Sequence, residues 1–424
     1  MAASDCRESG LVNRIAALPA QTLFRRSFPY PSAGASALLD ALRGLAAFSV
    51  FIYHWRDSYF FAAHDLHTQS LPLMIAYILT SLGPQCVIVF FVMSGYLVGG
   101  NVLRTLAEGR WSWRNYLFAR LTRLYAVLIP ALLFGAAFDW MGMRIAGARL
   151  LYSNLAAVNG PVSSYVTLSP RYFLANLFFL QNVHPIGIPA VNDFFNIFGS
   201  NSPLWSLSNE FWYYLAFPVL VLALSKQARR ATRIVCVLML AIWFCFVGFQ
   251  VALLGIPWLL GACLHFVERS AANRQQPRGG DLMLLPACLL LLFGMTYFNG
   301  LPQNATYMIT ATATTILMWA ILRSDVRRLP SWFQRFAHRA ASRSYTLYLV
   351  HLPALLFARA VLQFSQQAPS WHFLGLSLSI FIAVLVYTQV VYSLFEKRTD
   401  AIRQWLRPVF ASRGESASSW FSGG

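Results

Sequence analysis

The stretch LGPQCVIVFFVMSGYLVGG, residues 82–100, runs from Leu82 to Gly100 without one charged side chain. A helix needs about 20 predominantly apolar residues to cross a hydrocarbon core about 30 Å thick, and this stretch meets that length. Outward from it the same pattern recurs near 41–56, 124–140, 205–225, 234–249, 252–267, 282–298, 305–322, 344–364 and 373–395. Hydrophobic residues make up 57% of the 424 and charged residues 11%, against roughly 45–50% and 25% in soluble domains. Too little polar surface remains to cover a soluble fold of this size. The aromatic content of 15% fits as well, because Trp and Tyr collect at bilayer interfaces. The expected fold is all-α: a polytopic membrane protein with about ten transmembrane helices.

The formal charge of +18 supports orientation rather than nucleic-acid binding. The basic residues fall in short runs between apolar segments and form no basic soluble module. With the N-terminus in the cytoplasm, 28 of the 33 Lys and Arg lie on the cytoplasmic side, and the other five are Arg56, Arg144, Arg149, Arg171 and Arg359. That asymmetry places both termini inside. Residues 1–37 are then a flexible cytoplasmic tail, 38–408 the membrane domain and 409–424 a second cytoplasmic tail. The first 37 residues are polar, carry Arg7, Arg14, Arg25 and Arg26, and show no cleavable signal. The segment 141–204 is the one long external loop, rich in aromatic residues, Asn, Pro and Ser, with an interfacial helix expected near 171–181. Gly83 and Pro84 separate the apolar run 71–81 from the span that follows, so 71–81 is expected to form an interfacial or loop helix. The runs 234–249 and 252–267 are short and nearly joined, which predicts a hairpin.

Cys86, Cys236, Cys245, Cys263 and Cys288 lie inside apolar segments without CxxC spacing, so they are expected to be buried structural thiols. His64, His67, His184 and His372 fall in outer loops, and no metal is expected there. The glycosylation pattern Asn304-Ala305-Thr306 lies too near the membrane to be an acceptor. No internal repeat or inverted pair of broken helices marks a secondary transporter.

Ionisable residues inside a membrane each ask for a reason, at about 2.5–3.5 kcal/mol on insertion scales. In LDALRGLAAFSVFIYH, residues 39–54, Arg43 and His54 are separated by ten residues. Eleven steps along a helix turn close to three revolutions and rise about 16 Å, so both side chains share one face with Asp40 and Ala47. Taken alone, Arg43 suits a helix-end anchor that snorkels to headgroups, and His54 a satisfied interhelical hydrogen bond. In phase, the pair suits a phosphate-bearing acyl carrier docked at Arg43, with its pantetheine-like arm running to His54.

Arg, ten residues, His in a first span resembles the signature of the membrane acyltransferase-3 family. FFVMSGYLV (90–98) is similar to its second-span motif, and RLTRLY (120–125) to the basic segment opening its third span. SPLWSLSNEFWYYLAFP (202–218) resembles its Trp-Ser-Leu-x-x-Glu region, and SYTLYLVH (344–351) its late Ser-Tyr-x-x-Tyr-Leu-x-His segment. These five segments stand in the family's order across residues 38 to about 395. The resemblance implies a multipass fold that O-acylates cell-surface or secreted glycans, generally with acetyl-CoA as donor, in a bacterial inner membrane. It implies that His54 is the catalytic histidine, that Arg43, Arg120 and Arg123 face the donor phosphates, and that Glu210 is the membrane carboxylate. Ser94 and Tyr345 become lining groups. The basic segment reads Ala119-Arg120 where members often have two arginines. No esterase-like soluble domain follows the last span, so transfer is expected to finish within the membrane part or with a separate partner.

From the residues themselves, Ser94 is expected to be a packing residue, since no base can be placed beside it and small residues favour close helix approach. His351 and Tyr348 are expected to make interhelical hydrogen bonds. Glu210 cannot be left unpaired cheaply, and its expected partner is His54 or an external Arg. A neutral His54 would take the proton of the acceptor hydroxyl, with Glu210 fixing its tautomer. The expected partners are an acyl-CoA donor, a glycan or lipid-linked sugar and membrane lipids. A transporter or flippase for a lipid-linked sugar would also want a mid-membrane cavity with His and Glu, but predicts no thioester-dependent activity. A structural scaffold leaves the in-phase Arg43 and His54 without a reason.

Overall fold

The computed structural model describes residues 30–66, 70–146, 148, 151–152, 166–188, 196–226, 228–272, 280–297, 300–324 and 329–410. His67, Arg149, much of the 141–204 loop and most of the two expected tails lie outside the described residues. The elements are α1 (Ala33–Tyr59), α2 (Leu71–Thr80) and α3 (Gly83–Ser94), the last running through a π-turn (Gly95–Gly99) into α4 (Gly100–Ala107). There follow α5 (Trp113–Gly142), α6 (Pro170–Leu177), α7 (Leu204–Leu224), α8 (Arg230–Val247), α9 (Phe249–Ala272) and α10 (Gly280–Tyr297). The order closes with α11 (Gln303–Arg323), α12 (Ser331–Val361), α13 (Trp371–Leu394) and α14 (Thr399–Phe410). No strand occurs among the described residues.

Among the described residues nine segments are long and apolar enough to cross a membrane. The tenth expected span, 282–298, forms α10, whose apolar part Met283–Tyr297 is shorter. The run 71–81 is a separate helix, as Gly83 and Pro84 predict: Pro84 stands in the first turn of α3, where its missing N–H costs nothing. The expected hairpin is α8 and α9, joined through Gly248 at φ +84°, a conformation open to glycine and strained for other residues. The expected helix near 171–181 is the eight-residue α6. The outer surface is apolar where the bundle would meet lipid: Val237, Leu238 and Ile242 of α8 are more than half exposed. This is a multipass membrane protein. Cys245, Cys263 and Cys288, expected to be buried, lie on such outward faces, whereas Cys86 and Cys236 are enclosed.

The bundle centre is built on α1, which packs against α3 and α12; α12 packs in turn against α5 and α13, and Phe51 and Trp55 of α1 also meet Phe381 of α13. The tightest contact is between the π-turn and α9. A Cβ on Gly95 would stand 1.8 Å from the Trp258 carbonyl oxygen, and one on Gly261 would stand 1.8 Å from that of Val92. Gly95 and Gly99 form a G-x-x-x-G face, so two backbones touch where side chains would hold them apart. Since neither backbone oxygen can yield, Gly95→Ala should destabilise the bundle by about 1–3 kcal/mol, the usual cost of overpacking. A lowered midpoint of thermal unfolding in detergent would show it; an unchanged midpoint would mean that the helices separate freely here.

Candidate active site

Two cavities open at different levels of this bundle. The first, about 120 Å³, collects Arg43 from α1, Arg120 and Arg123 from α5, Glu210 and Tyr214 from α7, and Ser94 from the end of α3. The sequence-predicted arginines are therefore together, with Tyr345 beside them. Arg120 and Arg123 are one helical turn apart, which aims both at one space. Among the described residues no hydrogen bond or ion pair claims any of the three guanidinium groups. Arg120 Nε is enclosed and unpartnered, and the group lies 5.9 Å from the Tyr116 ring. Three such cations around one cavity suit a ligand with several negative oxygens.

Glu210 departs from expectation. Among the described residues it pairs with neither His54 nor an arginine, and it lines the arginine cavity. Its carboxylate accepts hydrogen bonds from Ser94 Oγ and from Tyr214 OH, the latter at 2.5 Å. The physical reason is its place in the second turn of α7, deep enough to reach the end of α3. Ser94, expected to be a packing residue because no base stood near, thus has a carboxylate beside it, and Trp258 Nε1 donates to its hydroxyl at 3.2 Å. The start of α7 is fixed by a buried carboxylate: Asp139 of α5 accepts from Ser200 N and Ser200 Oγ, each at 2.7 Å. Asn201 Nδ2 donates to the Leu349 carbonyl of α12 at 2.7 Å and ties the same turn to that helix.

His54 opens onto the second cavity, about 220 Å³. Around it stand uncharged hydrogen-bonding and aromatic side chains, among them Tyr53, Asn182, Trp205, Gln250 and Gln303. Among the described residues no Asp, Glu, Lys or Arg lines it. Gln250 Nε2 donates to Asn304 Oδ1 at 3.0 Å and Gln303 Nε2 to Tyr307 OH at 2.7 Å, so the amides are oriented before any ligand enters. Neutral amides, hydroxyls and an indole face form the chemistry that holds sugar hydroxyls and ring faces.

Tyr348 lines both cavities. Its hydroxyl shares a 2.7 Å hydrogen bond with Ser206 of α7 and donates to the Pro203 carbonyl at 3.2 Å. The expected interhelical role of Tyr348 is met. His351, expected to do the same, instead bonds its own helix: its Nδ1 lies 2.8 Å from the Leu347 carbonyl. Arg43 and His54 share α1 but open onto different cavities, both of which Tyr348 lines.

The sequence reading passed over Tyr214, Trp258, Ser206, Gln250, Gln303 and Tyr307. Tyr214 carried a signal, since it stands four residues after Glu210 on one helix face. The others come from distant segments. No three His, Cys, Asp or Glu side chains gather as a metal site among the described residues.

Residues 37–388 match the acyltransferase domain model Acyl_transf_3, and the chain belongs to that acyltransferase family. It is 23% identical to "Putative peptidoglycan O-acetyltransferase YrhL" of Bacillus subtilis (strain 168) over 415 residues, covering 88% of this chain and 57% of that protein. It is 28% identical to "Acyltransferase MdmB" of Streptomyces mycarofaciens over 222 residues, covering 52% of this chain and 46% of that protein. The chain thus spans about half the length of these curated relatives. No solved structure matches it.

Proposed function

We propose that this protein is a membrane O-acyltransferase that moves an acetyl or similar acyl group from cytoplasmic acyl-CoA to a hydroxyl of a glycan or lipid-linked saccharide on the outer side of a bacterial inner membrane. The observation that carries the reading is the pair of cavities sharing one wall: unclaimed arginines on one side, a histidine among neutral polar and aromatic groups on the other. Under the proposed topology the arginine cavity faces the cytoplasm. Arg43, Arg120 and Arg123 bind the donor phosphates there, and the thioester end reaches the Tyr348 wall. Glu210 keeps the cavity from accumulating uncompensated positive charge, and with Ser94 and Tyr214 offers hydrogen-bonding groups along the donor's path.

In the outer cavity the acceptor hydroxyl attacks the thioester carbonyl carbon while His54 takes its proton. The carbon–sulfur bond breaks, and the proton passes to the thiolate, leaving a sugar ester and free CoA thiol. Enclosure between the two cavities keeps water from the thioester. The test is a comparison of surface and membrane-bound glycans from cells with and without the protein, by mass spectrometry, alongside membranes supplied with labelled acetyl-CoA. Label appearing in a glycan ester only when the protein is present is the expected result. Equal labelling in both would sink the proposal, and so would movement of a lipid-linked sugar without any thioester requirement.

A further inference from the structure

Among the described residues two buried nitrogens at the proposed base have no partner: His54 Nδ1 and His351 Nε2 are both enclosed and both without a hydrogen bond. Their rings are neighbours, with centroids 5.1 Å apart and planes inclined by 38°. His351 is fully buried, in the stretch of α12 packed against α1, and its ring meets the edge of Phe51 at 5.8 Å. His54 in turn is edged by Tyr53 at 5.0 Å.

The tautomer of His351 follows from its bond to the Leu347 carbonyl. The Leu347 carbonyl can only accept, so the His351 nitrogen 2.8 Å away, Nδ1, carries the proton. In the neutral ring Nε2 is then a bare acceptor. An enclosed acceptor asks for a donor, and the neighbouring unpartnered nitrogen is His54 Nδ1. If that nitrogen were also bare, two enclosed lone pairs would be left without a proton between them.

We propose, resting on the reading of His54 as the base, that His351 is a positioning residue which holds His54 in the Nδ1–H tautomer. His54 Nδ1–H donates to His351 Nε2 after a small rotation of either ring, or through one intervening water. The second nitrogen of His54, Nε2, is not enclosed and opens to the outer cavity as the bare base. A chain from the Leu347 carbonyl through His351 to His54 thus does the orienting that a carboxylate does elsewhere. It also supplies what Glu210, turned toward the arginines, cannot. When His54 accepts the acceptor's proton at Nε2, its Nδ1–H stays bound to a neutral partner, so the positive ring is formed facing a lone pair. No bond to His351 is made or broken in the transfer.

The test uses membranes containing the full-length protein, supplied with acetyl-CoA, with glycan ester formed from the native acceptor read by mass spectrometry. His351→Phe keeps a ring of similar volume and removes the acceptor. His351→Gln places an amide oxygen where Nε2 stood. His351→Phe should lower the rate at saturating acetyl-CoA by about 10- to 100-fold, the usual cost of losing the partner that orients a metal-bound imidazole. The acetyl-CoA concentration for half-maximal rate should stay the same, and His351→Gln should recover most of the rate. Nitrogen-15 solid-state NMR of the protein in lipid should show the His54 Nδ1–H tautomer in the wild type and a mixture in His351→Phe. A His351→Phe protein with wild-type rate overturns the proposal, as does equal impairment of both variants, which would make His351 a packing residue. His54→Gln in the same assay separates the two levels. Activity retained there overturns the underlying reading, and the role of His351 with it. Loss there with His351→Phe unaffected overturns the role of His351 alone.

Discussion

His54→Gln is expected to lower acyl transfer by about 10²–10⁴-fold, the usual contribution of a positioned general base, while acyl-CoA binding stays intact. The substitution keeps a polar side chain of similar length in a cavity lined by other neutral amides, so packing and insertion should change little. What disappears is the unprotonated ring nitrogen facing the acceptor. Donor binding should survive because the arginines line the other cavity. The measurements are transfer in membranes and calorimetric titration of purified protein with CoA. Near wild-type transfer would reduce His54 to a wall residue; parallel loss of CoA binding would mean that the cavities are not separate in solution.

The second large effect is expected at Arg120. Its guanidinium has an enclosed, unpartnered nitrogen and stands with Arg43 and Arg123 around one cavity. A hydrogen bond to a charged group is typically worth about 1.5–3 kcal/mol, which corresponds to a rise of about 10- to 100-fold in KM for acyl-CoA on Arg120→Ala. The KM for the acceptor should stay as it was. Arg123→Ala should act in the same direction but less, because Arg123 is more exposed and solvent already competes for its charge. Donor kinetics unchanged in both variants would remove the arginine cavity from the donor's path.

The helices were legible because lipid imposes a simple demand: about 20 apolar residues in a row, interrupted where Gly and Pro say so. The helix Leu71–Thr80, the hairpin at Gly248 and the shared helix of Arg43 and His54 all follow from local sequence. What phase along one helix does not reveal is which cavity each side chain enters. Arg43 and His54 share one helix face but open onto different cavities, and Tyr348, almost three hundred residues later, lines both. The partners of Glu210 are hidden for the same reason: charge alone points to His or Arg, whereas its hydrogen bonds come from Ser94 on another helix and Tyr214 on its own. Such pairings depend on crossing geometry set by close contacts like that of Gly95 with α9, which no one-dimensional pattern records.

The Tyr348 wall also bears on the cell's energy supply. A bore joining the two cavities would let protons and sodium ions run down a gradient worth about 2.3 kcal/mol per charge for each 100 mV. One phenol ring, tethered to Ser206 and Pro203, lines both cavities and would border such a bore. An acyl group on a thin, flexible arm needs only a brief displacement of the ring, whereas a hydrated ion needs a continuous column of water. Under the proposed topology, the protein can hand a small covalent cargo across the bilayer and still hold the voltage.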